Sequence, residues 1–202
     1  MSNHNHPTFE QARSDETLRQ AYLDTLLLRC SEAVLAIVYD PELTRTVDYL
    51  RECCSRGSLG RFDLDKTLSL PRHNLEYSLG PMFVCPSLFG RGEESPIIVL
   101  KQGFEFPSEA RFLNAVLDHE AVHCSDYYGG IPLSNGTLIN SQLVTQLQDD
   151  TLDAIIEIRA YRVQLQKWKE REINEPEWVD FLSRQLQTYE HNLKIIKPRT
   201  EL

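Results

Sequence analysis

The chain has 202 residues, 41% of them hydrophobic, with a formal net charge of −9 and a sequence pI near 5.2. That length and apolar content suffice for one compact domain with a core. The acidic balance excludes an electrostatic footprint for nucleic acid or an anionic membrane, both repelled at long range, and favours a basic peptide as partner.

In chain order, Met1-Ser2-Asn3-His4-Asn5-His6-Pro7 has neither the basic start nor the apolar run of a signal peptide, and no run of roughly eighteen apolar residues follows. A cytoplasmic protein is expected. Residues 1–13 read as a flexible polar tail, and 14–202 as a single domain. Ser14 is placed to cap a helix from about Asp15 to Tyr39, with Leu18, Tyr22, Leu26, Cys30, Ala33 and Ile37 on one side. Asp40-Pro41-Glu42 begins a second helix, so 14–56 is expected to be helical. Loops are expected from Gly57 to Leu75.

Within 74–106 the pattern changes to short apolar runs, Met82-Phe83-Val84-Cys85 and Ile97-Ile98-Val99-Leu100, divided by Gly90-Arg91-Gly92. They predict an antiparallel hairpin or small sheet. Pro107-Ser108-Glu109 then starts a helix that Gly129-Gly130 and Pro132 stop, giving 107–129. Further helices are expected over 141–171, with a break near Asp149-Asp150, and over 175–197, opened by Pro176 and stopped by Pro198. The fold class is therefore α+β, mainly helical. The five cysteines are odd in number and form no C-x-x-C pattern, so reduced thiols are expected.

The most specific chemistry lies at His119-Glu120-Ala121-Val122-His123. On a helix, residues four apart share a face, so two imidazole nitrogens can converge on one ion. Glu120, one step round, stands beside the ion's open position and can take a proton from water. Phe112, Ala115, Val116, His119, Val122 and His123 recur at helical steps, which places the motif in mid-helix on a buried face. Two histidines and a glutamate facing a core need partners, and a metal supplies one.

A catalytic zinc site takes three protein ligands and leaves one position for water. Three acids are candidates for the third ligand. Glu157 lies among Ile155, Ile156 and Ile158, with a buried pair to Arg159 or Arg162 as its structural alternative. Asp126 follows His123 by three residues and also suits a hydrogen bond to a ligand imidazole. Asp153 precedes Glu157 by one turn and suits a supporting role better than ligation.

These residues carry a resemblance. H-E-x-x-H followed some thirty residues later by a glutamate on a separate helix resembles the gluzincin branch of the zincin metallopeptidases. More narrowly, His119 to His123 with Asp126, and then Glu157-Ile158-Arg159-Ala160, are similar to the H-E-x-x-H-x-x-D and E-I-R-A elements of the mitochondrial peptidases that process an ATP synthase subunit. The likeness covers these two segments, and the cysteine-rich surroundings of that family are absent. It implies a zincin-like core with Zn²⁺ held by His119, His123 and Glu157.

The expected reaction is hydrolysis of a peptide or protein substrate, with Glu120 as general base. Tyr127, Tyr128, Tyr161, His73 and Arg159 are chemically able to stabilise the oxyanion, and Tyr161, one turn after Glu157, is the favoured one. Ile97 to Lys101 is the expected strand edge for an extended substrate. A zinc-holding scaffold without turnover and a hydrolase of non-peptide amides are the alternatives. Oligomeric state is left open.

Overall fold

The computed structural model describes residues 6–31, 33–42, 82–85, 97–102, 104–132, 138–139 and 150–200. The expected second helix after Asp40, the loops from Gly57 to Leu75, the Gly90-Arg91-Gly92 turn and the stretch 141–149 lie outside them or almost wholly so.

Helix α1 spans Phe9–Ser14 and begins with a reciprocal cap. The Thr8 side chain accepts from the Gln11 amide, and the Gln11 side chain accepts from the Thr8 amide at 2.8 Å. The expected N-terminal tail is therefore corrected from Thr8 onward. Phe9 and Ala12 are core residues, because burying one aromatic ring offsets the cost of ordering a single capped turn. Ser14 ends this helix. Asp15 instead caps a short 3-10 turn, Glu16–Leu18, which leads into α2, Arg19–Leu27.

The long helix expected to reach Tyr39 stops early, and Ala36–Tyr39 is strand β1. Ile37, Val38 and Tyr39 are β-branched or aromatic, and a parallel partner strand decides the outcome against helical periodicity. Strand β2 is Met82–Cys85 and β3 is Ile97–Leu100. β3 lies between the other two, parallel to β1 in the register Ala36↔Ile97 and antiparallel to β2 in the register Met82↔Leu100. The antiparallel pairing of β2 with β3 is the one expected, and the parallel strand β1, which was not, makes the sheet mixed. All four β3 residues are buried, as suits a strand covered on both faces.

Helix α3, Glu109–Ala115, is capped by the Ser108 side chain and continues without a break through a π-helical turn, Val116–Glu120, into α4, Ala121–Gly129. Gly130 takes a positive φ of 84° just past the end, a conformation that favours glycine. A two-stranded ribbon follows, β4 at Ile131–Pro132 paired with β5 at Leu138–Ile139. Helix α5, Asp150–Glu170, and helix α6, Pro176–Thr200, form an antiparallel pair in which Trp168 meets Trp178 and Tyr161 meets Tyr189. Pro198 falls inside α6 instead of stopping it. So near the helix end it deprives only one carbonyl of its donor.

Among the described residues, the two larger apolar clusters hold these layers together. Phe9, Tyr22, Phe104 and Phe112 form an aromatic nucleus joined by Leu23, Ile37, Ile98, Leu100 and Val116. Leu165, Trp168, Trp178 and Leu182 form the second, between α5 and α6. The α3–α4 helix runs between them, with Phe112 and Val116 facing the first and Ala110 the second. No described helix is long and apolar enough to cross a membrane.

Candidate metal centre

The π turn is the local feature that builds the site. The amide of Ala121 donates to the Val116 carbonyl five residues back, which widens the helix where the motif starts. Asp118, His119 and Glu120 are all buried although consecutive.

His119 and His123 bring their Nε2 atoms within 3.2 Å of each other, and their rings meet edge to face at 4.8 Å between centroids. Helix α5 supplies Glu157, whose Oε2 lies 3.5 Å from His119 Nε2 and whose Oε1 lies 3.4 Å from His123 Nε2. Two atoms bound to a tetrahedral ion at about 2.0–2.2 Å stand roughly 3.3–3.6 Å apart, and the distance of each imidazole nitrogen to its nearer carboxylate oxygen, one oxygen for each ring, falls in that range. Among the described residues, these three form the cluster able to hold a metal ion.

The electrostatics fit such an ion. Two imidazolium groups could not point Nε2–H at one another across 3.2 Å, so at most one proton lies between the rings. Burial works against the Glu157 carboxylate, but the two imidazoles beside it prevail and hold it down at about 2. His123 Nδ1 is buried with no hydrogen-bond partner among the described residues. Nitrogen and carboxylate donors of this kind suit zinc.

Glu120 is buried beside the three donors, and its carboxyl is raised above the ordinary range by desolvation, against the pull of His123 and His119. A carboxylate of raised basicity is what a general base requires. Tyr161 sets its ring against His119 at 4.5 Å and stacks on Tyr189 at 5.8 Å. Desolvation, with the charge of Glu157, pushes its phenol up, so it stays a neutral donor.

Asp126 is drawn elsewhere. It is almost wholly buried, and Arg159 grips it through Nη2 at 2.9 Å and Nε at 3.1 Å. The acid weighed as a third ligand is occupied by the cation weighed as an oxyanion donor. Tyr127 packs with Ile131 and Ile156, and Tyr128 is exposed. His73 and the side chain of Asp153 lie outside the described residues. β3 has strands on both sides, so the expected open edge at Ile97 to Lys101 is corrected: its backbone groups are already paired.

Sequence reasoning missed a polar network behind the site. Gln164 Oε1 lies 3.0 Å from His119 Nδ1. Asn114 donates to Asp118 at 2.8 Å and to the Gln164 carbonyl at 3.1 Å, and accepts from Trp178 Nε1 at 2.9 Å. Arg171 closes the network by pairing with Asp118 through both terminal nitrogens, one at 2.9 Å. The available signal was spacing: Glu157, Tyr161, Gln164 and Trp168 follow three- and four-residue steps along one face of α5, and Arg171 continues them just past its end. No family model matches the sequence, and no similar characterised protein or solved structure is found.

Proposed function

We propose that the chain is a zinc-dependent metallopeptidase of the zincin kind, hydrolysing peptide bonds with Glu120 as general base. The observation that carries this reading is the convergence of His119 Nε2, His123 Nε2 and Glu157 at 3.2, 3.4 and 3.5 Å, with Glu120 buried alongside. A zinc ion, when bound, supplies a Lewis acid for the substrate carbonyl and lowers the pKa of water toward neutrality.

The chain's own residues do the remainder. His119 and His123 present neutral nitrogens from one helix, and Glu157 presents an anionic oxygen from another. Glu120 receives a proton from the attacking water and passes it to the leaving amine. Tyr161, kept protonated by burial, is the proposed hydrogen-bond donor to the developing oxyanion. The strand at the described sheet's edge, next to the π turn, is β2, and an extended substrate is proposed to lie along it. A basic peptide segment suits the chain's net charge of −9, and a cytoplasmic location is part of the same proposal.

The test compares wild type with Glu120→Ala, measuring bound zinc and cleavage of a mixed peptide library by mass spectrometry. Both proteins are expected to hold one zinc, and the wild type alone to cleave. Undiminished cleavage by Glu120→Ala would remove Glu120 as the base.

A further inference from the structure

We infer that Gln164 is a positioning residue for His119, delivered by the same helix that delivers Glu157. The inference rests on the metal reading above and assigns a role to a residue outside the motif. Gln164 follows Glu157 by seven residues, close to two helical turns, so both side chains leave α5 on one face. Glu157 approaches the Nε2 side of the His119 ring and Gln164 the Nδ1 side.

An amide oxygen can only accept, so the 3.0 Å contact places the ring proton on Nδ1 and leaves the Nε2 lone pair facing Glu157 and His123. That is the tautomer a metal ligand needs. Rotation of the amide by 180° would donate to Nδ1 instead and put the proton on Nε2, where it would block a metal. The same assignment accounts for His123. In the metal-free site its Nε2–H can donate to the bare His119 Nε2 at 3.2 Å, with the partnerless Nδ1 an unused acceptor, and a bound ion would displace that one proton. An unused acceptor is the less costly of its two states.

The backbone around Gln164 is fixed too. Its carbonyl accepts from Asn114, a fully buried side chain whose other bonds go to Asp118 and Trp178. A slip of α5 by one residue would swing Glu157 and Gln164 away together by about 100°. Ligand and orienting group therefore share a single register.

A neutral amide also suits the charge of the site. Asp118 is paired with Arg171 and Asp126 with Arg159, so among the described residues Glu120 and Glu157 are the carboxyl groups at the cluster without an arginine partner. A carboxylate in place of Gln164 would add an uncompensated charge in a buried setting.

The test has two readouts. In metal-free protein, above the pH at which both imidazoles are neutral, long-range ¹H–¹⁵N NMR should find His119 protonated on Nδ1 in wild type and shifted toward Nε2–H in Gln164→Leu. Chelator competition should find zinc about 10–100-fold weaker in Gln164→Leu than in wild type. Gln164→Ser, too short to reach the ring, takes the place of Gln164→Leu if that variant does not fold. A wild-type His119 carrying its proton on Nε2, or a folded variant with tautomer and affinity unchanged, would overturn the inference. A wild type that takes up no zinc would remove the peptidase reading, while the tautomer would still decide what Gln164 does.

Discussion

Arg159 holds Asp126 with two nitrogens of one guanidinium, tying the acid three residues past His123 to the cation two residues past Glu157. The pair locks α4 to α5 beside the three candidate ligands. Arg159→Ala would leave Asp126 almost wholly buried and unpaired. The expected loss is about 3 kcal/mol, the low end for a broken buried pair because the Arg159 side chain is 35% exposed. Urea unfolding measures it. A double change of Asp126 and Arg159 to leucine should recover part of the loss, since no buried charge is then stranded.

Asn114 sits at the junction of three helices and satisfies Trp178 Nε1 at 2.9 Å. Asn114→Leu keeps the volume but leaves that buried N–H without its acceptor and Asp118 without one donor. A loss of about 1–3 kcal/mol is expected by thermal or urea unfolding. A neutral outcome would mean the network adds nothing to stability.

The Tyr22 hydroxyl donates to Glu109 at 2.7 Å in the aromatic nucleus, and desolvation, followed by Glu109, raises its pKa well above the ordinary 10.0. The folded state therefore favours the neutral phenol. Above pH 10.0 the unfolded chain ionises first, so the stability this group contributes is intact below that pH and lost as pH climbs toward the folded value. Tyr22→Phe should cost about 1 kcal/mol at neutral pH through the lost hydrogen bond. It should also flatten the alkaline fall in stability. Parallel pH–stability curves for the two proteins would contradict the assignment.

The sequence made the motif helix legible because its signals agree: Ser108 as cap, a mid-helix motif on an apolar face, and glycine at the stop. Glu157 was legible as an acid among isoleucines. The π turn was not, because the groups that meet its buried side chains, Glu157 and Gln164 of α5 and Arg171 just past it, are distant in sequence. Gln164 and Asn114 were hidden for the same reason, being polar residues whose partners are distant in sequence. β1 was misread because Ala33 and Ile37 continue a helical period past the point where helix α2 ends, and only pairing with β3 turns Ala36–Tyr39 into a strand. The capping box at Thr8 and Gln11 was in plain view, and the polar composition around it concealed it.

The central claim is a three-ligand zinc site made by α4, the π turn and α5. It is tested most directly by native mass spectrometry of the zinc-loaded protein after dialysis, comparing wild type, Glu157→Ala and Asp126→Ala. One zinc per chain is expected in wild type and in Asp126→Ala, with loss from Glu157→Ala. A wild type that retains no zinc, or a Glu157→Ala that keeps it while Asp126→Ala loses it, would contradict the site.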